Sequence, residues 1–231
     1  MFVPADSISL ILFCILLVCI VSVFLFGVYY LGKSRGESLR CVQRNLAGLV
    51  GWFLFLGLIV YSGIVEKKPM PNLPLFVLAI NAGAIGFAFS SEGKKLAVRT
   101  PVYGLILFQC FRLPLELILH SWVHQGVIPA TMTWTGQNLD IVSGVTSLIL
   151  GLFVYKNICA RSMAWLANFV GSILLVNVIR VVIMSSPLPF AWQVSPPLLL
   201  IFHIPYFLIL PICVSGALAG HIILTRALIR R

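Results

Sequence analysis

The chain has 231 residues, 60% of them hydrophobic and 10% charged, whereas soluble domains carry about 25% charged and 45–50% apolar residues. A soluble domain is therefore excluded, and a chain that can hold about seven membrane spans with short connections leaves no room for a separate one. The formal charge of +10 would suggest nucleic acid in a soluble protein; here it must first be located relative to a bilayer.

A spanning helix needs about 20 apolar residues. Runs of that kind lie at 7–31, 45–65, 73–90, 101–123, 139–155, 163–184 and 198–225. They give an all-α fold, a single transmembrane domain over 1–231 built as a bundle of seven helices, with the third and fifth runs short. The first run follows a segment without positive charge and exceeds the roughly 7–15 apolar residues of a signal peptide, so it is expected to be a retained helix.

Seven spans put the termini on opposite sides, so alternate connections can be compared for the Lys and Arg excess that marks the cytoplasmic face. One set holds Lys33, Arg35, Arg40, Arg44, Lys94, Lys95, Arg99, Lys156, Arg161, Arg226, Arg230 and Arg231; the other holds only Lys67 and Lys68. This predicts the N-terminus outside and the C-terminus inside. Trp122, Trp134 and Trp192 then fall at the outer boundary, and Tyr29, Tyr30, Tyr103, Tyr155 and Trp165 near the inner one, as interfacial aromatic belts do. The charge excess is thus a topology signal, with no nucleic-acid partner implied. No cysteine falls in an outer loop, so no disulfide framework is expected.

Two outer connections are distinctive. HQGVIPATMTWTGQN from His124 to Asn138 has no Lys, Arg, Asp or Glu, a composition suited to lying at the interface or dipping back into it. SSPLPFAWQVSPP from Ser185 carries four prolines, which favour stiff, extended backbone. They are either ordinary interfacial loops or a lid over an outward cavity. Small residues at helical spacing, Ala82 with Gly86, Ala167 with Gly171 and Gly216 with Gly220, are expected to be packing faces. Laying the first three spans against the last three shows no internal repeat.

Arg112, Glu116, Asp140 and Arg180 remain within or at the edge of spans. Each costs roughly 2.5–3.5 kcal/mol on insertion scales and faces protein or water. Arg112, Glu116 and His120 follow at i, i+4 and i+8 on one helix face, with His124 one turn beyond. With Arg112 near the middle of its span, Glu116 lies about 6 Å and His120 about 12 Å further out. Arg180 with Asn177, Asp140 and His203 fall in the same outer half. The expected site is a polar cavity opening outward, with Glu116, His120, Arg180 and Asp140 as catalytic candidates and Arg112, Asn138, Asn177 and His203 as substrate contacts. The bland alternative is two buried ion pairs, Glu116 with Arg180, and Asp140 with the remaining arginine or an outer-loop donor. His120, His124 and His203 are weak metal candidates, without the HExxH pattern; no metal is expected, and the cofactor and oligomeric state stay open. His221 reads as a helix-end or packing histidine.

FRLPLELILH from Phe111, GVIPATMTWTGQNLDIVSG up to Gly144, NVIRVVIMSSPLP and IPYFLILPICVSGALAGH resemble a family of uncharacterised bacterial seven-helix integral membrane proteins. The resemblance covers about half the chain and implies the fold and a multi-pass place in the bacterial inner membrane, without a reaction. The segment from Asn177 to Arg180 is similar to the arginine segment of exosortases, but DIVSG at Asp140 stands where their cysteine would be, which removes the nucleophile. Three readings stay open: an intramembrane enzyme acting on an amphipathic or anionic substrate, a proton-coupled small-molecule transporter, and a scaffold held by buried ion pairs. The expected partners are the lipid bilayer and a lipid-like or small-molecule ligand.

Overall fold

The structure is a computed structural model that describes residues 2–33, 36 and 38–230, apart from the side chain of Lys33. Arg35, Glu37 and Arg231 lie outside the described residues. The rest is helical, without a strand among the described residues.

The helices begin and end where local chemistry dictates. Asp6 caps α1 (Ser7–Lys33): its Oδ1 accepts from the amides of Ile8 at 2.9 Å and Ser9 at 3.0 Å, two of the donors a helix start leaves unpaired. Then come α2 (Ser38–Tyr61), the single turn α3 (Ile64–Lys67), and α4 (Pro69–Phe89). Ser90 caps α5 (Ser91–Arg99), its hydroxyl accepting from the Gly93 amide. The next span runs through α6 (Val102–Leu107), a tight turn at Phe108–Phe111 and α7 (Arg112–His124). The tightening falls one turn before Pro114, which has no amide to donate back to it.

After α8 (Asp140–Tyr155) and α9 (Ala160–Ser185), short turns lead into a wide π-helical stretch at Ile209–Val214 and then α10 (Ser215–Arg230). Pro211 sits inside the wide stretch, where the missing amide and the ring's bulk prevent a regular ladder.

Among the described residues six helices are long and apolar enough to cross a membrane: Ser7–Gly32, Ser38–Tyr61, Pro69–Phe89, Val102–His124, Ala160–Ser185 and Tyr206–Arg230. The apolar helix Asp140–Tyr155 is shorter, at 16 residues, or about 24 Å. The last span is the centre of the bundle, 78% buried, while α2 is 11% buried and sits at its edge. Leu54, Leu58, Phe169 and Val176 point outward, exposed.

The sequence boundaries shift in three places. The second helix starts at Ser38, so Arg40 and Arg44 lie on it. The charged segment after α4 is a helix, α5, too short and polar to register as an apolar run. The last span begins at Tyr206 rather than 198 and runs to Arg230, because Pro205 cannot continue a helix from the turns before it.

Contacts gather the helix ends into two sets. At one end Arg99 Nη1 donates to the Leu31 carbonyl, Arg44 pairs with Glu92 and Arg226 donates to the Ala88 carbonyl. At the other, the Ala5 amide donates to Tyr206 Oη, Trp122 Nε1 donates to Ser9 Oγ at 3.0 Å, and Thr131 bonds Ser185. The first set carries the basic residues. The expected packing faces divide: Ala167 is buried and Gly171 and Gly220 are in tight contact, whereas Ala82 and Gly86 are exposed and Gly216 faces open space.

Candidate functional site

The regular spacing on α7 brings Arg112 into the middle of the Val102–His124 span. Gly144 of α8 lets the two helices close up, since a Cβ there would stand 2.7 Å from the Leu113 amide nitrogen. Arg112 therefore reaches α8 and α9 at once. Its Nη1 donates to Asp140 Oδ1 at 2.8 Å, to Ser143 Oγ at 2.6 Å and to the Gly171 carbonyl at 3.2 Å.

Glu116, one turn further along α7, is paired differently from expectation. Its Oε1 accepts from Asn138 Nδ2 at 2.7 Å, and Arg180 is not its partner. Asn138 is placed by the loop after α7, which folds back into the bundle. Val127, Ile128, Met132, Thr133 and Asn138 of that loop are buried. Asn138 Nδ2 also donates to the Met132 carbonyl, and its Oδ1 accepts from the Asp140 amide at 3.1 Å, starting α8. One asparagine thus fixes the loop, the start of α8 and the Glu116 carboxyl.

Arg112 and Glu116 are each 1% exposed. Among the described residues Arg112 Nη2 and Glu116 Oε2 have no hydrogen-bond partner, and both side chains line one cavity of about 30 Å³ together with Asp140, Asn138, Met132 and Leu198. A water needs about 10–15 Å³, so the cavity has room for one or two. One guanidinium faces two carboxyl groups there, and its direct bond goes to Asp140.

The other residues expected in the outer half divide into separate groups. His120 and His124 bring their Nε2 atoms to 3.1 Å, and His120 stacks on Trp134 with centroids 4.2 Å apart. Arg180 is exposed, donates through Nε and Nη2 to Asn177 Oδ1, and lies over the Trp192 ring. Asn177 in turn donates to the Gln137 carbonyl. His203 stacks on Phe2 at 4.0 Å, apart from the α7 stripe. Among the described residues no three His, Cys, Asp or Glu side chains converge as metal ligands.

Further polar residues continue the cluster toward the basic end. His221, 4% exposed, bonds Asn168 Oδ1 through Nδ1 at 2.9 Å, and Asn168 donates to Thr225. Gly171 joins this group to Arg112: its carbonyl accepts from the guanidinium, and a Cβ on it would lie 2.4 Å from His221 Cε1 and 3.2 Å from Ser143 Oγ. His221 is the packing histidine expected, in the body of α10 rather than at a helix end. In the sequence, the polar residues Ser143, Asn168 and His221 beside helical glycines were the available hint. No known family model, curated protein or solved structure matches the chain.

Proposed function

We propose that the chain is a seven-span protein of a bacterial inner membrane, with the N-terminus outside and the C-terminus inside, that couples proton movement to the transport of a small solute, with Glu116 as the proton carrier. The observation that carries this reading is the cavity in which Arg112 Nη2 and Glu116 Oε2 both stand without partners. Orphaned buried groups cost stability, and the cavity has room for one or two waters beside these two atoms, so Glu116 has a partner through which to exchange a proton. One cation beside two carboxyl groups is one positive charge short, and a proton on Glu116 supplies it.

The route outward runs through His120 and the exposed His124, each one turn further along α7. The clustering of basic helix ends supports the orientation, and α8, though short, is the seventh crossing. The resemblance to uncharacterised seven-helix membrane proteins agrees with this topology. An enzyme at the outer surface is a second reading, favoured by Arg180 alone, which is exposed against Trp192 and suited to an amphipathic anion. It loses Glu116 as a base, since that carboxyl is 1% exposed and no substrate reaches it in this conformation.

The test uses proteoliposomes loaded with a pH-sensitive dye and challenged in turn with mixtures of amino acids, hexoses and short carboxylates. A proton signal with at least one mixture, abolished in a well-folded Glu116→Gln variant, supports the reading. Proton silence with all three mixtures, or an undiminished signal in the variant, overturns it.

A further inference from the structure

A much larger cavity lies away from the polar site. It is a cleft of about 520 Å³ walled by α1, α2, α4, α6 and the last span, within the roughly 300–1,000 Å³ of ligand sites. On α2 it runs from Arg44 to Phe53, a rise of about 14 Å, which matches half of a hydrocarbon core about 30 Å thick. It therefore has the depth of one leaflet, on the side of the basic helix ends.

Its width comes from glycine. Gly48 and Gly216 both line it, and a Cβ on either would meet nothing within 4 Å. Neither has the positive φ that would demand glycine. Each is in a helix, where glycine is disfavoured, so neither the backbone nor a close neighbour accounts for it. What their missing side chains leave is the space itself.

The walls are almost wholly apolar, with Phe24, Trp52, Phe87 and Phe108 among them, and the polar groups include Arg44 and Asn45 at one end. Water does not fill an apolar space of this kind, and leaving it empty forfeits packing on every side. At the mouth two cations, Arg44 at 2.8 Å and Lys95 at 2.7 Å, share the single Glu92 Oε1, with Lys94 the next residue in sequence. The rim has an excess of positive charge.

We infer that this cleft is a binding site for one anionic phospholipid of the inner leaflet, with an acyl chain along Gly48 and Gly216 and the phosphate at Arg44. The site is independent of the proton reading and takes from the proposed orientation only which leaflet it faces. Charge complementarity selects the headgroup, and the cleft's depth and apolar walls select the chain.

Native mass spectrometry of the full chain released from nanodiscs of equal phosphatidylglycerol and phosphatidylcholine tests it. One phosphatidylglycerol should remain bound, retention should fall at least tenfold in Gly216→Phe, and Arg44→Ala should remove the preference over phosphatidylcholine. Equal retention of both lipids by the unaltered chain, another bound molecule in place of phospholipid, or unchanged retention in Gly216→Phe overturns the site. A second measurement needs no cavity-filling variant: brominated phosphatidylglycerol should quench the fluorescence lost in Trp52→Phe more strongly than brominated phosphatidylcholine. Equal quenching by the two contradicts the assignment.

Discussion

Arg112 Nη1 lies 2.8 Å from Asp140 Oδ1, with 1% and 7% of the two side chains exposed, so the arginine at the middle of the bundle is bonded to Asp140 and leaves Glu116 to a neutral asparagine. Breaking a buried pair strands a charge, and removing one partner costs about 3–5 kcal/mol. Arg112→Met and Asp140→Asn should each lower the unfolding temperature in mild detergent. The double variant should recover more than half of the summed loss; losses that simply add would show that the two side chains are not coupled.

Gly171 stands where a methyl group has no room, 2.4 Å from His221 Cε1. Overpacking of this kind costs roughly 1–3 kcal/mol. Gly171→Ala should destabilise the protein, and His221→Ala in the same chain should restore part of the loss by clearing the space. Failure of the second substitution to help would separate Gly171 from His221.

The Asp6 carboxyl is held below its usual 3.8 chiefly by the Ser9 hydroxyl, which donates to Oδ2 at 2.7 Å, and then by the Ser9 amide. A carboxyl lowered on folding contributes stability that is fully present above its ordinary value and is lost as pH falls through the folded one. Thermal unfolding of the parent and Asp6→Asn should therefore differ by a constant amount near neutral pH and converge as pH falls below 3.8. A difference that persists unchanged into strong acid would show that the cap does not depend on the charge.

The orientation is open to direct labelling. In a chain whose six cysteines are replaced by serine, an impermeant maleimide added to intact cells should modify Lys67→Cys and spare Lys156→Cys until the membrane is opened. The reverse pattern would invert the topology.

Much of the helix pattern was legible because an apolar run of spanning length has few other uses. The missed helix, α5, has nine residues and is held by a serine cap and packing of Leu96 and Ala97, which leave no long apolar signature. The stripe of Arg112 and Glu116 was legible from i, i+4 spacing, and Asp140 with the remaining arginine was one of the expected pairs. Partner choice between helices was not legible, because it depends on where the loop after α7 folds. Asn138 carries that information, and its contacts with Glu116 and the Met132 carbonyl exist only once the loop has turned inward. His203 lies apart from the α7 stripe, stacked on Phe2, since the turns around Pro205 set its direction.

The most direct measurement of proton exchange at Glu116 is the infrared spectrum of the purified protein in lipid, recorded as bulk pH is stepped. Of the carboxylic-acid carbonyl bands that come and go reversibly with pH in the parent, whose six Asp and Glu include exposed ones, one should be missing in Glu116→Gln and survive in Arg180→Ala, whose side chain lies apart from the cavity. An identical set of pH-dependent carboxyl bands in the parent and in Glu116→Gln would contradict the assignment of Glu116 as the proton carrier.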